Sequence, residues 1–351
     1  MRSIAVTAEH DYTVSIGSPW ISTLVPLIQS RSRVAVIVSS GYSPDLSSLQ
    51  ELDCDLHIFT VSDGEEAKSS STLLTLWNWL GAAGFTRSDV MVGIGGGAIT
   101  DLTGFAAATW LRGIDWIAVP TSLAGMVDAS VGGKTGINSE YGKNLIGSFH
   151  SPISVIIDVD FLQTLSVRDI SAGMAEVIKC GFISDPEILK LSASCTALTL
   201  LSDRELMIDL IYRAVAVKAT VVSNDFKESF AREVLNYGHT LGHAIEIYAK
   251  YQLRHGEAVA IGMVFVAELA VARGLIDASA VALHKDLLTR FDLPTTFERG
   301  AWSKLAPLLA LDKKARGKTL RFVVLDGIGS TIRLEDVSSA ELDAAYEMIA
   351  S

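Results

Sequence analysis

The run Val90-Met-Val-Gly93-Ile-Gly95-Gly96-Gly97-Ala98-Ile-Thr-Asp101 decides the fold of the first half of the chain. An apolar stretch passes through glycines into an amphipathic stretch, which predicts a buried strand, a tight turn and a helix. Residues 93–98 fit the pattern G-x-G-x-x-A, in which missing Cβ atoms let backbone N–H groups approach a pyrophosphate. A turn that needs glycine for geometry alone would look the same, so the motif by itself leaves nucleotide binding open.

The same alternation of apolar and amphipathic runs extends through the first 160 residues. Further strands are predicted at 33–39, 56–61, 116–119 and 155–157, with helices at 70–83 and 100–111. Repeated βα units form a mostly parallel sheet covered by helices. We therefore predict an α/β, Rossmann-like domain over residues 1–160.

The pattern changes after about residue 158. Helices are predicted at 170–180, 203–223, 233–250, 255–272 and 278–291, with late strands at 320–325 and 331–334. A chain of 351 residues exceeds what one hydrophobic core usually supports. Residues 161–351 are therefore predicted to form a second, mainly α-helical domain. The apolar run 258–272 contains Glu268 and is shorter than the roughly 20 residues of a bilayer span, so we expect a buried core helix.

Composition narrows the class of protein. The chain is 49% hydrophobic and 20% charged, with 8 prolines, which predicts a fully folded protein. Its net charge is −11 and no Lys/Arg run follows the chain, so we expect no nucleic-acid partner. Acidic residues near the N-terminus argue against an export signal, and the three scattered cysteines form no disulfide framework. These features predict a cytoplasmic protein without a membrane partner.

Histidines are concentrated in Asn236-Tyr-Gly-His239-Thr-Leu-Gly-His243-Ala-Ile-Glu246, followed by His255-Gly-Glu257. Imidazoles four residues apart share one face of a helix, so spacing alone pairs His239 with His243 and adds His255 as a third ligand. A carboxylate with two histidines would instead leave an open position, as in catalytic zinc sites. A single histidine on a helix is usually a hydrogen-bonded core residue, but three so close together favour a metal.

A second polar segment is Asp128-Ala-Ser-Val-Gly132-Gly133-Lys134-Thr135-Gly-Ile-Asn138, followed by Gly142-Lys143-Asn144. It lacks Walker spacing, which disfavours a nucleotide triphosphatase. Either a loop that binds a phosphorylated small molecule or a mobile surface loop with solvated lysines fits it. Together with the other motifs it predicts a metal-assisted nicotinamide enzyme acting on a phosphorylated polyol, in which the metal lowers a hydroxyl pKa and NAD⁺ accepts a hydride.

From about residue 64 to residue 325 the chain resembles the 3-dehydroquinate synthase family of the sugar phosphate cyclase superfamily. The two motifs above carry the likeness, together with Gly95-Gly-Gly-Ala-Ile-Thr-Asp101, Phe105-Ala-Ala-Ala-Thr-Trp-Leu-Arg112-Gly and Ala175-Glu176-Val-Ile-Lys179. The resemblance implies an NAD-binding α/β domain and a helical metal- and substrate-binding domain. It also implies conversion of 3-deoxy-D-arabino-heptulosonate 7-phosphate to 3-dehydroquinate and phosphate, the second step of the shikimate pathway.

In that family the reaction begins with a transient oxidation at C5. Phosphate elimination, re-reduction, ring opening and intramolecular aldol closure follow, so NAD⁺ is regenerated in each cycle. The new ketone acidifies the proton on the neighbouring carbon, which prepares the elimination. The resemblance further implies that the substrate's own phosphate serves as the base, consistent with the lack of an obvious dedicated base in this sequence.

The resemblance also assigns roles by position. It makes the metal ligands, for Zn²⁺ or Co²⁺, Glu176, His239 and His255, and turns His243 toward substrate. Substrate contacts are implied for Lys134, Lys143, Asn144, Lys179, Lys218, Arg232, Asn236 and one of Lys313 or Lys314. Asp128 and Glu228 orient hydroxyls or water, and Arg112 reaches in from a second subunit of a homodimer. NAD contacts are implied for Glu65, Lys68, Gly95, Gly96, Gly97, Asp101, Thr121 and Ser122, with Lys134 and Lys143 beside them.

Three alternatives stay open at this point. Another cyclase of the superfamily, such as an aminodehydroquinate synthase, would share these motifs, although Lys218, Arg232 and Asn236 favour a carboxylated, phosphorylated substrate. A metal- and NAD-dependent alcohol dehydrogenase, such as a glycerol phosphate dehydrogenase, is a second rival. A non-catalytic NAD-sensing protein is a third, disfavoured because it has no need for a metal beside so many anion-binding groups.

Overall fold

The computed structural model describes residues 1–227, 231–316 and 320–351, with side chains described up to residue 309 and again from residue 320. The chain divides into two compact units. Unit 1 contains Met1–Leu165 and the described part of Lys218–Ser229, and unit 2 contains Ser166–Val217 and the described part of Phe230–Ser351. The sequence placed the whole of 161–351 in one domain. The structure instead groups the described part of Lys218–Ser229 with unit 1.

Unit 1 is built on a seven-stranded sheet. Its strands are β1 (Arg2–Val6), β2 (Tyr12–Ile16), β3 (Arg33–Ser39), β4 (Asp55–Val61), β5 (Val90–Gly95), β6 (Asp115–Pro120) and β9 (Ser154–Ile157), and a separate hairpin contains β7 (Lys134–Ser139) and β8 (Gly142–Phe149). The sheet order is β1-β2-β9-β6-β5-β3-β4, and only the β1–β2 pair is antiparallel. The predicted α/β class and its five predicted strands are confirmed, because continuous apolar runs such as those of β3 and β5 suit strands buried on both faces.

Four helices accompany this sheet: α1 (Trp20–Ile28), α2 (Ser47–Gln50), α3 (Ser70–Ala82) and α4 (Gly97–Thr109). Shorter turns of helix occupy Gly64–Ala67, Trp110–Arg112, Gly125–Ala129 and Val159–Thr164. Helix α4 begins three residues before the predicted start at 100, so its N-terminus lies directly at the glycine-rich turn. It ends before a turn in which Leu111 and Arg112 have left-handed backbones, with φ of 49° and 68°.

The sequence missed strands β1, β2, β7 and β8. Its prediction of a loop through residues 128–144 is wrong from Lys134 onward, because Lys134–Ser139 pairs antiparallel with Gly142–Phe149. Gly136 and Gly147 lie opposite each other, and a Cβ on either would press against the backbone of the other strand. The glycines that suggested flexibility therefore permit two strands to pair closely.

Unit 2 is mainly helical. Its helices are α5 (Val167–Ile183), α6 (Pro186–Ala193), α7 (Ala197–Ser202), α8 (Arg204–Asn224, which continues into unit 1), α9 (His239–Tyr248), α10 (His255–Ala272), α11 (Ala278–Arg290), α12 (Trp302–Arg316) and α13 (Ser339–Glu347), joined by a hairpin of β10 (Phe322–Leu325) and β11 (Thr331–Leu334). The single helix predicted at 233–250 is wrong. A 3₁₀ turn at Ala231–Asn236 is separated from α9 by Gly238, whose φ of 79° is left-handed and cannot continue a helix.

Helix α10 is the core of unit 2. By length and composition alone it could cross a membrane, but 83% of its apolar window is buried inside the protein. Glycines let its backbone approach neighbouring segments, because a Cβ on Gly256 would overlap the carbonyl of Ala172 in α5, and one on Gly262 would overlap the carbonyl of Gly238. These contacts fix α10 against α5 and against the start of α9.

We expect Gly262→Ala to lower the free energy of unfolding of unit 2 by about 3 kcal/mol or more, since the new methyl group meets backbone rather than a movable side chain. Urea unfolding followed by circular dichroism measures the change. Gly300→Ala is the matched control, because no heavy atom lies within 4 Å of its Cβ position. Equal stability of the two variants would contradict the proposed role of this close contact.

Candidate functional site

Three side chains from three helices of unit 2 converge on one point. Glu176 lies in α5, His239 is the first residue of α9, and His255 is the first residue of α10. Glu176 Oε1 is 3.5 Å from His239 Nε2 and 3.4 Å from His255 Nε2. One oxygen and two imidazole nitrogens within 4.8 Å of one another form a three-ligand set with room for a further ligand.

The other nitrogen of each imidazole is held by an acceptor. His239 Nδ1 donates to the carbonyl of Tyr237 at 3.1 Å, and His255 Nδ1 donates to Glu246 Oε2 at 3.1 Å. Such bonds fix the ring orientation and leave each Nε2 facing Glu176. This is the arrangement found around metal-bound histidines.

The buried carboxylate of Glu176 provides a test of whether a cation fits here. Its Oε2 accepts a hydrogen bond from Lys179, but its Oε1 is buried and has no hydrogen-bond donor among the described residues. A buried oxygen without a partner costs about 1–3 kcal/mol, and more when charged. A divalent cation at this point would satisfy it, and the mixed N and O ligands suit Zn²⁺ or Co²⁺.

His243 lies beside this cluster. Its ring centre is 5.4 Å from that of His239 and 6.1 Å from that of His255. His243, Glu246 and His255 also have ligand atoms within 4.8 Å of one another. That second set would leave Glu176 Oε1 without a partner among the described residues, and it contains the Glu246 carboxylate that already accepts a hydrogen bond from His255 Nδ1. The set centred on Glu176 is therefore the better cation site.

Charge and burial set the protonation states of the metal-free cluster. Burial raises the pKa of Glu176, but the Lys179 ammonium and the two imidazoles outweigh it and hold the pKa well below its ordinary value. Burial and the nearby Lys179 lower the pKa of His239. Burial also lowers the pKa of His255, but the neighbouring carboxylates of Glu176 and Glu246 outweigh it and raise the pKa. A bound cation would replace the His255 proton.

Tyr237, which holds His239 through its backbone, is itself anchored in the core. Its hydroxyl donates to His284 Nε2 at 2.9 Å, while His284 Nδ1 donates to the carbonyl of Ala280 at 2.7 Å. The His284 ring stacks on Phe182 with centres 3.5 Å apart. Complete burial lowers the pKa of His284 to about 4, so its imidazole is neutral and Nε2 accepts the hydrogen bond from the Tyr237 hydroxyl.

Unit 1 contains a separate cluster around a buried lysine. Lys68 Nζ donates to Asp101 Oδ2 at 2.6 Å and to the side-chain oxygen of Asn144. Burial raises the pKa of Asp101, an effect that the Lys68 ammonium opposes. Asn138 connects the same segments, since it donates to Glu65 Oε2 at 2.6 Å and accepts from the Asn144 backbone at 3.0 Å. Four of the predicted NAD and substrate residues are thus brought together.

The glycine-rich turn lies at the end of β5. A Cβ on Gly95 would lie 2.5 Å from Ile99, and one on Gly97 would lie 2.9 Å from the Cβ of Ala129. Packing therefore requires both glycines. Gly96 is different, because its φ is −66° and a Cβ there would meet Ser122 Oγ at an ordinary 3.4 Å. The protein has room for a side chain at Gly96. Because glycine has no Cβ atom, the N-terminus of α4 is open to a ligand there. Thr121 and Ser122 lie beside this turn, where Thr121 donates its N–H to the Gly95 carbonyl at 2.9 Å.

Asp128 and Lys218 meet elsewhere in unit 1. Asp128 lies in the widened helical turn Gly125–Ala129, and the ammonium of Lys218 donates to its backbone oxygen and, at 2.5 Å, to its Oδ1. Lys218 is almost fully buried. The ion pair fixes the end of this lysine side chain at the carboxylate of Asp128.

The remaining predicted residues are distributed over both units. Lys134 and Arg112 are exposed, Lys143 is half-buried, Arg232 is buried in unit 2, and the side-chain nitrogen of Asn236 is buried without a hydrogen-bond partner in the described part of the chain. Glu228 and the side chains of Lys313 and Lys314 lie outside the described residues.

Two family models of known proteins match most of this chain. A family model described as 3-dehydroquinate synthase N-terminal matches residues 58–172, and one described as 3-dehydroquinate synthase C-terminal matches residues 173–315. The chain belongs to the 3-dehydroquinate synthase family. The predicted resemblance is therefore confirmed.

Similar family members and solved structures extend over nearly the whole chain. The 3-dehydroquinate synthase of Thermobifida fusca (strain YX) is 50% identical over 343 residues, covering 96% of this chain and 93% of that protein. A 2-deoxy-scyllo-inosose synthase complexed with carbaglucose-6-phosphate, NAD⁺ and Co²⁺ is 25% identical with a TM-score of 0.88, and covers 99% of both chains. The 2-epi-5-epi-valiolone synthase of Streptomyces hygroscopicus subsp. jinggangensis 5008, with NAD⁺ and Zn²⁺ bound, is 26% identical with the same TM-score and coverage.

Sequence reasoning missed two groups that hold these sites together. Glu246 was quoted in the histidine motif without a role, although it lies two helical turns after His239 and so on the same face of α9. Asn138 was quoted in the glycine and lysine segment in the same way. Helical periodicity could have revealed Glu246, whereas the partners of Asn138 depend on a hairpin that was not predicted.

We expect Tyr237→Phe to lower the free energy of unfolding by about 1–3 kcal/mol, because the buried His284 Nε2 loses its hydrogen-bond donor. Urea unfolding at pH 7 measures the effect. Tyr248→Phe removes a hydroxyl that donates to the exposed Glu298 carboxylate and should change stability by less than about 0.5 kcal/mol. A similar loss of unfolding free energy in both variants would show that the hydrogen bond to His284 contributes no more to stability than an exposed one.

Proposed function

We propose that this protein is a 3-dehydroquinate synthase, a phosphate-eliminating cyclase and therefore a lyase. It converts 3-deoxy-D-arabino-heptulosonate 7-phosphate to 3-dehydroquinate and phosphate in the shikimate pathway, which leads to chorismate and the aromatic amino acids. The observation that carries this proposal is 50% identity to a 3-dehydroquinate synthase over 96% of the chain. The 2-deoxy-scyllo-inosose synthase and the 2-epi-5-epi-valiolone synthase are 25% and 26% identical over a similar length.

We assign the divalent cation, Zn²⁺ or Co²⁺, to Glu176, His239 and His255. When bound, the cation supplies Lewis-acid polarisation of a substrate hydroxyl that is to lose its proton. The protein residues supply the rest of this site. Tyr237 and Glu246 orient the imidazoles, and Lys179 holds the second carboxylate oxygen so that Glu176 stays ionised.

We assign NAD to the glycine-rich turn of unit 1. When bound, NAD⁺ supplies a reversible hydride acceptor, so the enzyme releases no net NADH. Gly96 lets a phosphate approach the N–H groups at the start of α4, whose dipole favours an anion. Glu65 and Lys68 lie near the adenosine end, Asp101 near the ribose, and Thr121 and Ser122 beside the turn.

The substrate is a small anion with phosphate and carboxylate groups. Its contacts are proposed for Lys134, Lys143, Asn144, Lys179, Lys218, Arg232, Asn236, His243 and one of Lys313 or Lys314. The buried amide nitrogen of Asn236 supports this assignment, because a substrate oxygen would give it the acceptor that the described residues do not provide. Asp128 and Glu228 would orient hydroxyls or water rather than bind anions.

We also propose a homodimer in the cytoplasm. Arg112 is exposed on a left-handed turn, where its guanidinium is accessible to a second copy. The cytoplasmic location is supported by the cysteines of the protein. Cys54, Cys180 and Cys195 are all free thiols, as expected in a reducing compartment.

The assay that tests the function follows phosphate and absorbance at 340 nm together, with the heptulosonate phosphate as substrate. We expect rapid phosphate release without lasting NADH, loss of activity after chelation, and recovery with Zn²⁺ or Co²⁺. Net NADH accumulation would instead indicate an alcohol dehydrogenase. Turnover of another sugar phosphate, with none of the heptulosonate, would indicate a different cyclase.

Substitutions at the adjacent residues Gly96 and Gly97 should distinguish an effect on cofactor binding from an effect on packing. We expect Gly96→Ala to keep the melting temperature of the wild type while weakening NAD binding about tenfold or more, roughly 1.4 kcal/mol, because its methyl group occupies the space of the phosphate. Gly97→Ala should instead lower the melting temperature through its contact with Ala129. Calorimetry and thermal unfolding measure both effects. Unchanged NAD affinity in folded Gly96→Ala would contradict the assigned phosphate position.

A further inference from the structure

We propose that Glu246 is a positioning residue for the metal, one that holds His255 without touching the cation. The inference rests on the proposed function, because it takes Glu176, His239 and His255 as the ligands. Its geometric basis is the 3.1 Å hydrogen bond from His255 Nδ1 to Glu246 Oε2. Glu246 is only 4% exposed, so this carboxylate has been moved out of water next to the imidazole it orients.

His255 needs such a partner more than His239 does. The His239 side chain is 10% exposed and its ring is held by a backbone carbonyl, whereas the His255 side chain is 38% exposed. A half-exposed imidazole at the start of a helix can rotate or exchange the roles of its two nitrogens. The carboxylate of Glu246 selects the orientation in which Nε2 lies 3.4 Å from Glu176 Oε1.

The position of Glu246 in α9 makes this support specific. His239 and Glu246 lie two turns apart on the same face of α9, so one helix contributes a ligand and also holds a ligand of α10. The start of α9 is fixed against α10 by the close contact of Gly238 with Gly262. Glu246 therefore transmits the rigid α9–α10 packing to the orientation of the His255 ring. A carboxylate acceptor also makes the opposite imidazole nitrogen a better electron donor to a metal.

The alternative role for Glu246 is direct ligation, since His243, Glu246 and His255 also lie within reach of a common ion. Ligation by Glu246 Oε2 would compete with the hydrogen bond that this oxygen accepts from His255 Nδ1. It would also leave the buried Glu176 Oε1 without a partner in the described part of the chain, because Lys179 donates to Oε2. Both costs are avoided when the ion is bound by Glu176 and Glu246 remains an acceptor.

The test measures metal affinity in the full-length protein without NAD or substrate. Apo-protein is titrated with Zn²⁺ and with Co²⁺ against a chromophoric chelator, and the visible absorption of the Co²⁺ form is recorded. We expect Glu246→Ala to weaken both metals by about 10- to 100-fold while the Co²⁺ bands keep their wild-type positions. Glu246→Gln should recover part of the affinity, because its amide oxygen still accepts the His255 hydrogen bond.

Glu268→Ala is the matched control, since Glu268 is a buried carboxylate of the same unit that pairs with Lys285 at 3.1 Å, away from the ligands. It should bind both metals as the wild type does. Circular dichroism checks that each variant is folded. If Glu246→Ala does not fold, Glu246→Gln still decides, because it should bind metal with wild-type Co²⁺ bands and reduced affinity.

Three outcomes would overturn the proposal. Wild-type affinity in folded Glu246→Ala would remove any role for the residue at the metal. Loss of more than about 1,000-fold with shifted Co²⁺ bands would make Glu246 a ligand. An equal loss in Glu268→Ala would make the effect one of general destabilisation. Because the titrations need no turnover, failure of the heptulosonate assay beside the expected affinities would refute the proposed function and leave this inference intact.

Discussion

The close backbone contact of α10 with two neighbouring segments is the constraint on which the candidate metal centre depends. Gly256 meets the carbonyl of Ala172 in α5, and Gly262 meets the carbonyl of Gly238 just before α9. The three converging side chains lie one on each of these helices. A wider separation of these helices would move the ligand atoms apart by a similar distance, so the absence of two Cβ atoms sets the size of the site.

The same region of unit 2 concentrates charge in an apolar environment. Glu176 and Lys179 are both about 2% exposed and form an ion pair within α5. Burying such a pair costs free energy unless further partners satisfy it, and one oxygen of Glu176 has none in the described part of the protein. The surrounding apolar packing of α10 offsets that cost. This division of labour, in which a stable core supports an unfavourable polar cluster, is common where proteins do chemistry.

Much of the fold could be read from the sequence because its signals are local. Continuous apolar runs identified five strands of the unit 1 sheet, and the long apolar stretch identified α10 as a core helix. The hairpin was missed because its glycines and lysines resemble a loop, and their pairing is a property of two strands together. The break before α9 was missed because helical periodicity continues across Gly238, whose left-handed backbone is not apparent from hydrophobic pattern. Spacing found the histidines, yet it favoured His239 with His243, since it cannot bring in Glu176 from a helix more than sixty residues earlier.

Lys68 connects two parts of unit 1 that are far apart in the sequence. One ammonium group binds Asp101 in α4 and Asn144 in the hairpin, while Asn138 connects that hairpin to Glu65. Segments far apart in the chain are thus held together by the contacts of Lys68 and Asn138. A molecule that displaces Asp101 or Glu65 from these contacts also disturbs the hairpin, so binding at one of these two places would change the affinity at the other by the same factor.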